Sequence, residues 1–302
     1  MRPSAFDYHA PRDLEEACRR KAEHGPDAAV LAGGQSLIPL MGSRLRTPRV
    51  LIDIKRIPEL GEARRENGTL VAGAAVRQVR LHEDPEIAAA VAALPEAARH
   101  IGHLETRHRG TLGGSLAHAD PSAELPAVAV GLGAELVVRS VRGERRIAAA
   151  DFFTGPRTTA LEPDELLVAV RFPADGAGAT AFAEIARRHG DPAMAAALAR
   201  VELAADGTLA AVTLALGAVA GRPQRAGAVE AALQGAAPTA ERIAEAARGA
   251  ADLAEDDPGP GEVGPTPSPP GIPIGYRRRL AAAVAGEALT RAVARAKGEE
   301  AQ

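Results

Sequence analysis

The sequence has little of the chemistry that metal centres and disulfides need. Its 302 residues contain one cysteine, Cys18, so we expect neither an intrachain disulfide nor an iron–sulfur cluster ligated by cysteines of these residues alone. Four histidines lie close together, at His100, His103, His108 and His118, but no HExxH motif or second cysteine accompanies them. We therefore predict no metal site in this chain.

Aromatic residues and excess positive charge are also scarce. Aromatic residues make up 2% of the chain, tryptophan is absent and the formal net charge is -3. The stacking platforms and basic surfaces typical of nucleic-acid binding are therefore not expected. No apolar run approaches the roughly 20 residues of a membrane span, and the N-terminal segment lacks the apolar core of a secretory signal. These absences predict a cytoplasmic protein with no integral membrane segment.

The order of the predicted elements favours an α+β protein in two parts. Charge order and capping residues predict a helix from Pro11 to His24, and an apolar run predicts a strand from Arg49 to Ile54. The glycine-rich stretch Asp175–Ala179 marks a boundary between the parts. Beyond it we predict a hairpin around Asp206 and Gly207, and a final amphipathic helix over 276–296. The length is consistent with about two domains.

Two glycine loops carry the chemistry that the sequence does have. Ala32–Leu37, "AGGQSL", and Thr111–Ala117, "TLGGSLA", each place two adjacent glycines before a hydroxyl residue. Glycine lets the backbone approach a ligand closely, so consecutive amides can point at an anion such as a diphosphate. Asp120 and Glu124 add acceptors suited to ribose or ribityl hydroxyls.

Motif spacing alone leaves two interpretations of these loops. A single Gly-Gly-x-Ser is more often a tight turn than a binding loop, and neither loop matches GxGxxG or GxxxxGK[ST]. Two such loops in one domain suit a long dinucleotide better than a mononucleotide. From the motifs alone, a phosphate site and a pair of ordinary turns both stay open.

Longer stretches resemble the flavoprotein (medium) subunits of molybdenum hydroxylases, the family of carbon monoxide dehydrogenase and of the FAD domain of xanthine dehydrogenase. They are "AGGQSLIPLM", "LIDIKRIPEL", "IGHLETRHRGTLGGSLAHADPSAELPAV" and "DFFTGPRTTALEPDELL", followed by "FAEIARRHGD", "GRPQRAGAVEAALQG" and "YRRRLAAAV". The resemblance covers nearly the whole chain. It implies an α+β fold: a PCMH-type FAD-binding domain of two α+β subdomains over 1–175, and a C-terminal α+β domain of the CO dehydrogenase flavoprotein type over 180–297.

The resemblance also implies which residues hold FAD. The two glycine loops would bind the diphosphate, Glu124 would contact the ribityl or ribose region, and Ile101 and Leu167 would line the flavin. Phe182, where many members have a tyrosine, would pack near the ring. The full predicted set is Ala32, Gly33, Gly34, Gln35, Ser36, Leu37, Ile101, Thr111, Gly113, Gly114, Ser115, Ala117, Asp120, Ser122, Glu124, Leu167 and Phe182. We predict no catalytic side chain, because the flavin carries the chemistry.

The family's other centres would lie on other polypeptides. The resemblance implies molybdopterin on a large subunit and [2Fe-2S] clusters on a small subunit, assembled as a dimer of heterotrimers. This chain would pass electrons from the clusters through FAD to an external acceptor. Two alternatives stay open, a self-contained PCMH-type flavin oxidoreductase and a scaffold that has lost FAD. The glycine loops disfavour the scaffold, since they cost backbone entropy without a ligand.

Overall fold

The computed structural model describes residues 2–174, 176, 178–256 and 272–299. Within these residues the strands form sheets of three, five and four strands and one two-stranded ribbon, with helices packed against the sheets. The α+β class predicted from the sequence is confirmed. Residue 175, at the predicted domain boundary, lies outside the described residues. None of the described helices combines the length and apolar character needed to cross a bilayer.

The first subdomain is a small parallel sheet with two helices. Its elements are β1 (Asp7–His9), α1 (Leu14–His24), β2 (Ala28–Leu31), α2 (Leu37–Gly42) and β3 (Val50–Asp53). The strand order is β1-β3-β2, and both pairings are parallel. The helix predicted from Pro11 begins at Leu14, because the Asp13 side chain accepts the Glu16 amide at 2.7 Å and caps it. The first glycine loop follows the carboxyl end of β2, where ligands bind in parallel sheets.

The second subdomain is a five-stranded antiparallel sheet with helices. Its main strands are β4 (Ala63–Glu66), β5 (Thr69–Gly73), β6 (Glu135–Ser140), β7 (Gly143–Ala148) and β10 (Leu166–Pro173), in the order β4-β5-β10-β6-β7, and the ribbon is β8 (Phe153–Gly155) with β9 (Thr158–Thr159). Its helices are α3 (Gln78–Glu83), α4 (Pro85–Ala90), α5 (Ala93–Ala98), α6 (Leu104–Arg109), α7 (Leu112–His118), α8 (Glu124–Gly131) and α9 (Ala149–Phe152). Helices α4 and α5 are separated at Val91, which has φ -146°, and Pro95 lies in the first turn of α5, where proline is tolerated.

The C-terminal unit packs one long helix on an antiparallel sheet. The strands are β11 (Ala179–Ile185), β12 (Ala195–Leu203), β13 (Leu209–Gly217) and β14 (Gln224–Arg225), and the helices are α10 (Gly227–Leu233), α11 (Ala240–Ala247) and α12 (Ile274–Ala296). The predicted hairpin joins β12 to β13, and Gly207 at its tip has φ +81°. Helix α12 lies across β11 and β12.

A shared core and one buried ion cluster join the C-terminal unit to the second subdomain. Helix α8 packs against β12 and β13, so Leu198 and Ala215 belong to the same core as Leu116. Beside this core, the buried carboxylate of Glu96 accepts Arg295 Nη1 at 2.8 Å and also binds Arg291 from α12. The Phe182 amide of β11 donates to the same carboxylate at 3.1 Å. One side chain of α5 thus ties together two elements of the C-terminal unit.

Candidate cofactor-binding site

The first glycine loop presents a row of free backbone amides. Gly34 has φ +76°, a conformation that glycine adopts at little cost. The amides of residues 34–37 donate to no acceptor in the described part of the chain, and no side chain caps the start of α2. Consecutive unpaired amides after a strand make an anion-binding concavity. This loop therefore has the chemistry predicted for a diphosphate site.

The second glycine loop differs from the sequence-based expectation. Its amides are used inside the protein: Leu112 donates to the Val76 carbonyl and Gly113 to the Ala74 carbonyl, each at 2.9 Å. The Gly114 amide donates to Thr111 Oγ1 at 3.1 Å, so Thr111 caps α7. The expectation that this loop repeats the amide chemistry of the first is wrong. It offers side-chain groups to the site and supports the first loop.

The glycines are required because the backbones of neighbouring segments come very close. A Cβ at Gly33 would overlap the carbonyl oxygen of Arg109 and lie 2.7 Å from the Cα of Gly110. A Cβ at Gly113 would likewise overlap the Ala74 side chain. The first loop therefore packs against the residues that lead into the second loop, and a Cβ at Gly114 would lie 3.5 Å from the Cβ of Ala32. In the sequence, 76 residues lie between Gly34 and Thr111.

The loops line a cleft of about 820 Å³. This is within the size range of small-molecule and cofactor sites, about 300–1,000 Å³. Sixteen of the predicted site residues line it: Ala32, Gly33, Gly34, Gln35, Ser36, Leu37, Ile101, Thr111, Gly113, Gly114, Ser115, Ala117, Asp120, Ser122, Glu124 and Leu167. Segments from both subdomains thus form one cavity wall.

Phe182 is the predicted site residue that does not line this cleft. It is fully buried in β11, and its ring packs against His100 with 5.6 Å between ring centroids. Its backbone is bound on both sides, since its amide donates to Glu96 and its carbonyl accepts Arg291 Nη1 at 2.8 Å. The structure gives Phe182 a place in the core, behind the cleft wall.

The cleft wall also includes residues that sequence reasoning missed. Residues 190–192, from the loop after β11, line the same cleft as the predicted Ile101 and Leu167. Arg107 supports this wall by donating to the carbonyls of Ile101 and Gly102, at 2.9 and 3.1 Å. The Gly-Asp-Pro sequence at 190–192 indicates a turn, but no local signal shows that the turn reaches this cavity.

The Asp120 carboxylate organises the polar wall. It accepts the amide and the hydroxyl of Ser122, at 3.1 and 2.8 Å, and pairs with Arg157 at 3.0 Å. His118 Nε2 lies 3.8 Å from the same carboxylate, and burial lowers the pKa of this histidine. Asp120 is therefore a fixed acceptor held by its neighbours.

Glu124 is the most unusual charged group of the cleft wall. It stands at the first position of α8 and only 6% of its surface is exposed. Burial raises the pKa of its carboxyl, with a further contribution from the negative charge of Asp120.

The four histidines near these loops do not converge, and no group of three His, Cys, Asp or Glu in the described ranges is arranged to hold a metal ion.

The lining of the cleft combines the two kinds of group that a flavin dinucleotide needs. The unpaired amides of residues 34–37 and the hydroxyl groups of Ser36 and Ser115 supply hydrogen-bond donors to phosphate oxygens. Ile101 and Leu167 supply an apolar surface for a ring. The residues present therefore fit FAD.

Comparison with known proteins agrees with this geometry. Residues 4–175 match the family described as "FAD binding domain in molybdopterin dehydrogenase", and residues 180–292 match "CO dehydrogenase flavoprotein C-terminal domain". The chain is 44% identical over 193 residues to the caffeine dehydrogenase subunit beta of Pseudomonas sp. (strain CBB1), covering 63% of this chain and 65% of that one. Aligned residues thus span just under two thirds of that relative.

Two longer alignments extend over almost the whole chain. The carbon monoxide dehydrogenase medium chain of Afipia carboxidovorans is 35% identical over 301 residues, 98% of this chain and 100% of that one. A solved carbon monoxide dehydrogenase of Hydrogenophaga pseudoflava, which lacks the Mo-pyranopterin moiety of its cofactor, superposes with a TM-score of 0.89 at 37% identity, covering 98% of this chain and 99% of that chain. The chain belongs to the family of FAD-binding medium subunits of molybdenum hydroxylases and is an oxidoreductase subunit of that family.

Proposed function

We propose that the chain holds FAD in the cleft and passes electrons through it, from iron–sulfur clusters on a small partner subunit to an external acceptor. A large partner subunit with molybdopterin would supply electrons to those clusters. In this proposal residues 1–175 form the FAD-binding domain and residues 180–297 the C-terminal domain. The assembly would be a dimer of heterotrimers. The family membership and the cleft together support this function.

The observation that carries the proposal is the pairing of free amides with an apolar wall in one cavity. The amides of residues 34–37 would hold the diphosphate, and Asp120 and Glu124 would contact the ribityl or ribose hydroxyls. Ile101 and Leu167 would contact the flavin ring. The bound flavin supplies the capacity to accept and release electrons, and the chain supplies its position and electrostatic surroundings.

The cysteine content supports a division of labour between polypeptides. Cys18 is buried among Leu14, Ala17 and Ile52 in the core of the first subdomain, and burial raises the pKa of its thiol. A buried neutral thiol is a poor metal ligand, and a cysteine-ligated cluster needs about four thiolates. In this proposal, electrons would reach the cleft from centres on other chains.

The first test is the visible absorption spectrum of the natively purified full chain, with mass spectrometry of the released cofactor. We expect flavin bands and one FAD per chain. A chain that remains colourless after incubation with FAD would contradict the proposal.

The partner assignment has a separate test. Affinity purification of the chain from its source should recover a large and a small subunit, with molybdenum and iron measured in the complex. Native mass spectrometry then gives the stoichiometry, and two copies of each subunit would agree with a dimer of heterotrimers. A flavin-loaded chain that turns over a substrate without partners would favour the self-contained oxidoreductase.

A further inference from the structure

A second buried carboxyl lies behind Glu124, on the other side of the junction between the units. Glu184 is in β11, and its side chain is 3% exposed. Its Oε2 has no hydrogen-bond partner among the described residues, and its Oε1 lies 3.8 Å from Nδ1 of His100. It interacts electrostatically with Glu124. No role at the cleft was predicted for it.

The two arginines of α12 that contact the backbone of β11 are already engaged. Arg291 and Arg295 of α12 bind Glu96, and Arg291 also donates to the carbonyl of Phe182. An ionised carboxylate without a cation or hydrogen-bond donors is very costly in a protein interior. Burial accordingly raises the pKa of Glu184, and the negative charge of Glu124 raises it further.

His100 does not supply the missing positive charge. Burial, together with the charge of Arg99, lowers the pKa of His100 to about 4, so its imidazole is neutral at neutral pH. Arg99 Nε donates to its Nε2 at 3.3 Å, so the ring proton is on Nδ1, the nitrogen nearer Glu184. His189 also acts on His100 by charge repulsion.

The groups facing Glu124 do not neutralise it either. Asp120 adds negative charge, and Arg157 is already paired with Asp120 at 3.0 Å. The burial of His118 lowers its pKa, which favours the neutral ring. Two buried carboxyls therefore interact with each other, and neither has a cation of its own.

We propose that Glu184 holds a proton in the folded chain and, together with Glu124, forms a proton-binding site at the wall of the cleft. Glu124 is the member that lines the cleft, and Glu184 is a positioning residue that acts through it. Negative charge entering the cleft makes the two carboxyls take up a further proton, by Coulomb attraction across a poorly solvated region. The diphosphate of FAD brings such charge. The proton site itself stands on the burial of both carboxyls and on the Oε2 of Glu184, which has no hydrogen-bond partner among the described residues, while its linkage to FAD rests on the proposed function.

The proton site is tested on the full chain without FAD, by infrared spectroscopy at neutral pH. The carbonyl stretch of a neutral carboxylic acid is well separated from carboxylate bands and shifts in D2O. We expect such a band in the wild type and a weaker band in Glu184→Gln, in which only Glu124, whose pKa burial raises, can still contribute. Glu230→Gln is the matched control, because Glu230 is a largely buried glutamate that pairs with Arg225 at 2.7 Å. Absence of the band in the wild type, or a band of undiminished intensity in Glu184→Gln, would overturn the proposal.

The linkage between proton uptake and FAD binding is tested by titration calorimetry of the full chain with FAD. The dependence of the binding enthalpy on the buffer's ionisation enthalpy gives the protons taken up per FAD, measured across the neutral and mildly alkaline range. We expect net uptake in the wild type, less than half as much in Glu184→Gln, and wild-type uptake in Glu230→Gln. Equal uptake in all three would overturn the linkage, whereas failure of the wild type to bind FAD would contradict the proposed function and leave the infrared result to decide the proton site.

Discussion

Single glycines in this cleft have two separate reasons to be glycine. Gly34 needs its positive φ, and the sequence pattern pointed to that use. Gly33 and Gly113 instead allow backbone segments to touch, at Arg109 and Gly110 for the first and at Ala74 for the second. That second reason depends on segments distant in sequence, so the "GGxS" pattern alone could not distinguish it from ligand contact.

A methyl group at Gly33 should therefore push the first glycine loop away from the backbone of Arg109 and Gly110. In Gly33→Ala the new Cβ meets backbone atoms that cannot rotate away, and we expect a loss of about 1–3 kcal/mol in the free energy of unfolding, together with weakened FAD binding. Gly42→Ala is the control, since a Cβ there meets nothing within 4 Å. Urea denaturation and flavin fluorescence titration measure the two effects. Equal behaviour of the two variants would contradict the packing role of Gly33.

At the level of helices and strands, local sequence patterns predicted individual elements but not the contacts between elements distant in sequence. The cap at Asp13 and the hairpin at Gly207 are local, and both elements could be predicted from the sequence. The amides that begin α7 are paired with the carbonyls of Ala74 and Val76, which precede them by almost 40 residues. The same limit explains why Phe182 was expected at the flavin, since the packing of β11 beneath α12 is a long-range feature.

The buried ion cluster of Glu96 in α5 with Arg291 and Arg295 in α12 predicts a position at which substitution destabilises the fold. Glu96→Gln removes the charge that holds Arg291 and Arg295. We expect a loss of about 2 kcal/mol or more in the free energy of unfolding, because Arg295 loses its carboxylate partner and Arg291 keeps only the mostly exposed Glu287. Glu287→Gln, which removes a mostly exposed i,i+4 partner of Arg291, should stay within about 0.5 kcal/mol of wild type. Denaturant unfolding followed by circular dichroism compares them. A Glu96 variant as stable as the Glu287 variant would show that the ion cluster contributes little to the free energy of unfolding.

For the whole molecule, the sequence identified the two glycine loops of the cavity wall but not its closure by the C-terminal unit. The predicted loop residues from Ala32 to Glu124 converge because two subdomains meet at the carboxyl end of β2. Residues 190–192 complete the wall only after the C-terminal sheet has packed on α8. The same packing buries the side chain of Glu184 in β11. Neither consequence is encoded in a local motif, since both depend on how separately folded segments dock.

This docking should make the stability of the whole protein depend on pH in a definite direction. The pKa of Glu184 is raised in the folded state above the ordinary glutamate value of 4.5, so the folded form binds its proton more tightly than the unfolded chain. Stability from this group is complete below that value and is lost as the pH rises towards the folded pKa, by up to about 1.4 kcal/mol per pH unit. Glu184→Gln cannot ionise and escapes this loss.

Without FAD, the free energy of unfolding of Glu184→Gln should therefore increase relative to that of the wild type as the pH rises from weakly acidic to mildly alkaline values. Urea denaturation at several pH values measures this difference in the free energy of unfolding. In Glu230→Gln no such trend is expected, because Glu230 already has the Arg225 guanidinium as its partner. A difference between Glu184→Gln and wild type that is constant with pH would mean that Glu184 is ionised in the folded chain. In that case the junction would have to supply a compensating charge that the folded structure does not place beside it.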